Sequence, residues 1–357
     1  MSIVESSKVK HSFFPSLRES YNDEIIISII IDCYHGLNYI KESIGSVLLQ
    51  EYNNVELMLI DNGADVEISK YLAYVHSNNK NTALVTFKEN QFSWDDIELN
   101  VAVCWNAGLI HCKGEIVSHL AYDDMFSKNY AGKMAKLFNE NPNCMTAGPL
   151  PISINSSSDI NLDKDFLKAN NRPRYIEGKK VALDLVQGSP KKMFGAPGGI
   201  LAVRKSLLLK YSGFEQGIDL LQILKYAING DIGFDSEAHL YWRHHDSQTN
   251  RLASDKGYIE VRNFKRVIIR SDIVNIWKKN FSLTEVELLE KYLKNRLVAM
   301  PLHKVQYMIA HKNLFGLFLV FFNTARECPE HLGRTIWHSI SFTIRLILKK
   351  LKRVTNA

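Results

Sequence analysis

The sequence predicts an α/β fold built on an open, mainly parallel sheet, with a helical extension at the C-terminal end. Three observations carry this. From residue 25 to about 150, apolar runs that read as strands alternate with segments of helical period. The first run, Ile25 to Ile31, is nearly continuous in β-branched residues, as a strand covered on both faces requires. Two later runs stop abruptly at carboxylates: Val55 to Ile60 at Asp61-Asn62-Gly63, and Gly114 to Leu120 shortly before Asp123-Asp124. Strands of a parallel sheet point one way, so both acidic tips fall on the carboxyl edge, where such sheets bind ligands.

Each element follows in order. Residues 1–24 are polar, lack the apolar stretch of a secretion signal, and read as a flexible lead. After the first strand, Asp32-Cys33-Tyr34-His35-Gly36 breaks the run. A helix starts near Asn38, with Ile40, Ile44, Val47 and Leu48 on one face. Ile68 to Val75 fits a second helix, Ala83 to Phe87 a third strand, and Leu99 to His111 a third helix. Asn129 to Asn139 is a further helix, closed by Asn141-Pro142.

From 151 to 192 the periodicity fails, and the polar stretch reads either as a substrate-binding lid or as a solvated insertion. Gly195 to Gly199 allows close backbone approach or a plain turn. A helix is expected from Ile218 to Ile228, with Asp219, Gln222 and Tyr226 on one face. The expected domains are the lead, a sheet domain over 25–250 (divided near 150), and a helical part over 251–357.

Composition narrows the function. The chain has 357 residues, 46% of them hydrophobic, enough for a full core. Its net charge of +6 is mild, and no basic-aromatic motif points to nucleic acid. Five cysteines show no metal-ligand spacing, and their odd number fits a reducing, cytoplasmic setting. No run reaches the ~20 apolar residues of a spanning helix.

Two acids at the tip of a core strand are costly unless something neutralises them, and a divalent cation carrying a phosphate would. Asp123 is the first candidate ligand and Asp124 the second; alternatively, Asp124 caps the helix near Asn129. Asp61 can accept hydrogen bonds from a base or ribose, or make an Asx turn with Asn62-Gly63, or both. Arg243 suits a phosphate, and a neutral imidazole from His244 or His245 suits a metal. Near the C-terminus, Ile336, Ile340, Ile344, Ile347, Leu348 and Leu351 form a stripe, with His338, Arg345, Lys349 and Lys352 opposite. That helix either lies on an anionic bilayer or docks on the rest of the chain with a wet basic back.

Over residues 25–250, these pieces resemble, in order, the inverting nucleotide-sugar glycosyltransferases of family 2, which have the GT-A fold. The matching segments are Ile29 to Gly36, Ser46 to Tyr52, Asp61 to Asp65, Ala102 to Gly108, Lys113 to Glu115, Ser212 to Glu215, and Glu237 with Tyr241 to His245. The chain departs at Ala121, where the family's Asp-x-Asp-Asp motif begins with an acid, at Ile218, where an acid usually precedes the catalytic Asp, and at His35 and Trp105, where Asn and Arg are common.

The resemblance implies sugar transfer with inversion, from a nucleotide sugar to a glycan or lipid-linked acceptor, assisted by Mg²⁺ or Mn²⁺. It makes Asp219 the catalytic base. Asp32, Tyr34, Asp61, Asp123 and Arg243 become the donor-binding residues, and Asp123, Asp124 and His245 the metal ligands. It also implies a role in surface polysaccharide synthesis at the inner face of the cell membrane. The missing acids leave a second expectation: a non-catalytic relative that binds nucleotide sugar or glycan.

Overall fold

The computed structural model describes residues 8–22, 24–92, 99–160, 173–188, 202–215, 221–248, 268–269, 271–327 and 329–355. Two compact units divide the chain, one ending at His244 and the other beginning at His245.

In the first unit the expected alternation is present. It runs β1 (His11–Phe14), β2 (Ile27–Cys33), α1 (Leu37–Leu48), β3 (Val55–Asn62), α2 (Val66–Asn78), β4 (Thr82–Phe87), α3 (Leu99–His111) and β5 (Ile116–Ala121). There follow β6 (Met125–Phe126), α4 (Tyr130–Glu140), β7 (Cys144–Ile154), β8 (Tyr175–Glu177), α5 (Gly178–Val186), β9 (Ala202–Arg204), α6 (Lys205–Lys210) and β10 (Asp231–Arg243). A single sheet has the order β1-β4-β3-β2-β5-β9-β7-β10-β6, with β8 also on β10. β4, β3, β2 and β5 are mutually parallel, while β9 runs antiparallel between β5 and β7.

Ile27, Ile29 and Ile31 pack toward α1 and α4, and Ile30 packs with Met58, Val103 and Val117 on the other face. Both faces of β2 are therefore covered, which is why its sequence shows no alternation.

Two expectations change. The stretch after 151 is not irregular throughout: β7 continues to Ile154, and β8 and α5 occupy 175–186. Gly195 to Gly199 lies outside the described residues. In place of a regular helix to Ile228 there is a π-helical turn, Gln222–Tyr226, and a 3₁₀ turn, Ala227–Asn229. Gln222 and Tyr226 are buried there with their neighbours, so this turn has no polar face.

The second unit is helical: α7 (Ile273–Lys278), α8 (Leu283–Ala310), α9 (Leu314–Glu327) and α10 (Leu332–Thr355). Ser282 begins α8 with a capping box: its hydroxyl accepts from the Glu285 backbone, and the Glu285 carboxylate accepts from the Ser282 N–H. Val305, Met308 and Val320 form a small core. α10 turns Thr335 and Ser339 inward and leaves Ile336, Trp337, Ile340, Ile344 and Leu348 exposed. Its apolar stripe therefore faces out; for Ile347 and Leu351 only the backbone is described. Among the described residues no helix is long and apolar enough to cross a membrane.

Candidate active site

Three neighbouring parallel strands bring acids to one edge. Asp32 on β2 lies opposite Ile60 of β3 and Ala121 of β5, and Asp61 lies opposite Cys33. Asp123 follows two residues beyond the end of β5. The sheet thus joins Asp32, Asp61 and Asp123 at adjacent tips, although they are far apart in the chain. Burial pushes the Cys33 thiol well up, and the negative charges of Asp32 and Asp61 push it further.

Asp61 does make a turn: its Oδ1 accepts from the Ala64 N–H at 3.0 Å. Gly63 has a φ of 58°, and a Cβ there would meet the Asn90 nitrogen at 2.3 Å, so the position needs glycine. Asp65 then caps α2, accepting from the Ile68 N–H at 2.9 Å.

Asp32 accepts a hydrogen bond from Trp105 Nε1 at 3.1 Å. The Trp105 ring stacks on His119, with centroids 3.7 Å apart, and Phe214 meets both rings edge-on. Burial holds the His119 pKa down at about 3, so this imidazole is neutral and packs as an aromatic ring. Tyr34 stands beside this edge, edge-on to Tyr122 and nearly parallel to Phe92. The Tyr122 hydroxyl lies 2.6 Å from His35 Nε2. Burial first, then neighbouring Tyr34, pushes the Tyr122 phenol up, so it stays protonated.

The Asp123-Asp124 turn is tied to the end of β10. β6 pairs with β10, setting Phe126 against Leu240 and Met125 against Tyr241. The Asp124 side chain does not cap α4; its Oδ1 accepts from the Arg243 backbone N–H at 2.8 Å. Arg243 is 0% exposed. Its Nε donates to the Asp123 carbonyl at 2.7 Å, its Nη1 to Ser158 Oγ at 2.9 Å, and its Nη2 to Glu42 Oε2 at 2.6 Å. The guanidinium also lies 4.8 Å from the Tyr39 ring centroid. This side chain, expected at the diphosphate, thus has protein acceptors on three of its nitrogens and joins the turn after β5, α1 and the turn after β7.

Asp123 and Asp124 are both buried. Burial, and then the charge of Asp123, raises the Asp124 pKa well above the usual carboxylate range, and Arg243 only partly offsets this. Among the described residues, no group of three or more His, Cys, Asp or Glu side chains is arranged to hold a metal ion. A Mg²⁺-like ion does not need such a cage, because one or two carboxylates suffice when substrate phosphates and water supply the other oxygens. The pair fits that kind of site: two close, desolvated acids whose repulsion a cation would relieve.

His245 is the first residue of the second unit, and its Nδ1 lies 2.8 Å from Ser247 Oγ. Asp219 lies outside the described residues. The segments flanking it are firmly held. Asn106 makes two hydrogen bonds to the Phe214 backbone, accepting from its N–H at 2.6 Å and donating to its carbonyl at 2.8 Å. Lys225, itself buried, pairs with Glu215 at 2.6 Å, and the Tyr226 hydroxyl donates to the Gly213 carbonyl.

Sequence reasoning missed Glu42, Ser158 and Lys225, which carry no local signal. Asn106 and Trp105 stood in a motif-like segment, but their partners lie 108 and 73 residues away.

The family model for "Glycosyl transferase family 2" matches residues 28–208. An uncharacterized glycosyltransferase of Rickettsia prowazekii is 28% identical over 115 residues, 32% of each chain. The match thus spans about a third of the length of such relatives. The O-antigen biosynthesis glycosyltransferase WbnJ of Escherichia coli is 27% identical over 237 residues, covering 64% of this chain and 83% of that protein. Among solved structures, S. aureus TarS 1-349 in complex with UDP-GlcNAc superposes with a TM-score of 0.51 at 12% identity, over 85% of this chain and 91% of that one. The mannosyltransferase PcManGT from Pyrobaculum calidifontis, in complex with GDP-Man and Mn²⁺, gives 0.51 at 16% identity, over 98% and 93%. These likenesses establish the GT-A fold. With half of its length matched by the family model, this chain belongs to glycosyl transferase family 2.

Proposed function

We propose that the chain transfers a sugar, with inversion, from a nucleotide sugar to a glycan or lipid-linked acceptor in surface polysaccharide synthesis, with the help of Mg²⁺ or Mn²⁺. The observation that carries this is the row of Asp32, Asp61 and Asp123 on adjacent tips of one parallel sheet. WbnJ, named for O-antigen biosynthesis, supports the pathway class, and the GDP-Man and Mn²⁺ bound by PcManGT support the donor and the ion.

In this reading Asp32 and Tyr34 border the base, and Asp61 accepts from the base or ribose. Asp123 would hold the cation, with Asp124 as a further ligand. A bound divalent ion neutralises the charge that develops on the leaving diphosphate. Asp219 takes the proton from the acceptor hydroxyl. A single displacement without a covalent intermediate inverts the anomeric centre. Arg243 acts by positioning: its bond to the Asp123 carbonyl fixes the direction of the acidic tip.

A second reading, a non-catalytic nucleotide-sugar binder, is favoured by Ala121, which stands where the family's metal motif has its first acid. One experiment separates them. Purified protein with Mn²⁺ is incubated with uridine, guanosine and thymidine sugar donors, and hydrolysis and thermal stabilisation are recorded. Turnover that is lost in Asp123→Ala supports the enzyme. Stabilisation without turnover supports the binder, and no response to any donor removes both.

A further inference from the structure

The charge and the exposed apolar surface of this chain gather in the same place. Residues 312–357 contain eight Lys and Arg (Lys312, Arg326, Arg334, Arg345, Lys349, Lys350, Lys352, Arg353) and two acids (Glu327, Glu330), a net of +6. The whole chain has 44 basic and 38 acidic residues, also +6, so residues 1–311 hold 36 of each and are neutral overall. The same segment carries exposed large apolar side chains on two helices. On α9 these include Phe315, Phe318 and Phe322, with Phe315 72% exposed. On α10 they are Ile336, Trp337, Ile340, Ile344 and Leu348, with Trp337 71% exposed.

α10 is oriented in a telling way. Among its described side chains, the polar Thr335 and Ser339 are the buried ones, and His338 meets Gln306 of α8 at 2.7 Å. A helix that simply docked on its own unit would turn its apolar stripe inward and its polar side outward. Here the stripe is exposed, and Arg334 and Arg345 are exposed on the same helix. Its 24 residues extend about 36 Å, at ~1.5 Å per residue. A helix of this kind, apolar on one side, basic on the other and with an exposed Trp, suits the boundary between headgroups and acyl chains.

We propose that α9 and α10 form a docking surface for an anionic bilayer, with the aromatic and aliphatic side chains entering the interface and the basic residues meeting lipid phosphates. A second copy of this chain is the poorer occupant, because each copy would bring the same +6 to the contact. The inference rests on the proposed function only for its purpose, holding the chain where a lipid-linked acceptor lies; the binding does not depend on catalysis.

The full chain is sedimented with vesicles of equimolar phosphatidylglycerol and phosphatidylcholine, and with vesicles of phosphatidylcholine alone. It is expected to pellet with the anionic vesicles and to be released by salt, which screens the attraction. Arg345→Gln with Lys349→Gln is expected to weaken binding about 25-fold, about fivefold per charge from roughly 1 kcal/mol each. Ile340→Glu with Ile344→Glu is expected to abolish it, and since both side chains are exposed, folding is retained.

Equal pelleting with both vesicle types, no pelleting with either, or binding unchanged in both variants would overturn the proposal. So would a dimer in vesicle-free buffer that Ile340→Glu dissolves, since a second copy would then cover the face. Nucleotide-sugar hydrolysis is measured on the same samples, so a failure of lipid binding and a failure of the transferase reading appear in separate signals.

Discussion

Arg243→Met is the most informative substitution. The side chain is buried, and Met keeps much of its apolar volume while removing the guanidinium. The buried Asp123 carbonyl loses a charged donor at 2.7 Å, while the half-buried Ser158 hydroxyl keeps its bond to Glu42 Oε2 at 2.8 Å. A buried polar group left without a partner costs about 1–3 kcal/mol. Glu42 also loses its bond, but its side chain is 41% exposed, so water recovers most of that and about 0–1 kcal/mol is lost. The contact with the Tyr39 ring contributes about 1 kcal/mol more. The expected loss is about 2–5 kcal/mol, most of it from the stranded Asp123 carbonyl.

For a unit of this size that lowers its melting temperature by about 10 °C, at roughly 2–4 °C per kcal/mol. The assay is differential scanning calorimetry of the full chain, alongside donor hydrolysis at saturating Mn²⁺. Hydrolysis should fall as well, because the Asp123 turn loses its anchor. An unchanged melting temperature with weakened donor binding would refute the reasoning, since the guanidinium would then be meeting the donor and not the protein.

Three further outcomes are expected. Asp123→Asn should lower donor hydrolysis about 100-fold or more, the equivalent of roughly 3 kcal/mol of lost charge stabilisation, while calorimetry shows no loss of stability because its repulsion with Asp124 disappears; full activity would remove Asp123 from the site. His119 is neutral in the fold down to about pH 3 but takes up a proton in the unfolded chain below about pH 6.5. Its contribution is therefore lost as pH falls from 6.5 toward 3, by about 1.4 kcal/mol per unit, and His119→Phe should flatten that slope in urea titrations at several pH values. Asn106→Ala should destabilise the chain by about 2–4 kcal/mol in urea titration, because it strands the buried N–H and carbonyl of Phe214; a change under 1 kcal/mol would show that water replaces both bonds.

Most of the strands and helices around the acidic edge of the sheet were legible because their signals are local. Ile25 to Ile31 is a nearly continuous β-branched run, and Leu99–His111 was delimited by its own apolar pattern. The acidic tips were legible for the same reason: Asp61 and Asp123 sit where an apolar run stops. Asp219 was placed by family spacing alone and lies outside the described residues. Gln222 to Tyr226 went astray because the polar period read there belongs to a π-helical turn that is buried on every side.

Sequence alone determined that this chain would build a parallel sheet with carboxylates at one edge, since strand period and strand ends are properties of neighbouring residues. Only the tertiary structure decided what those carboxylates touch. Glu42 and Arg243 are 201 residues apart in the chain and 2.6 Å apart in space, and Trp105 reaches Asp32 from another helix. It also decided that the stripe of α10 points outward, because the same amphipathic pattern serves a docked helix or an exposed one. A side chain's type is written in the sequence, but its partner is chosen by packing.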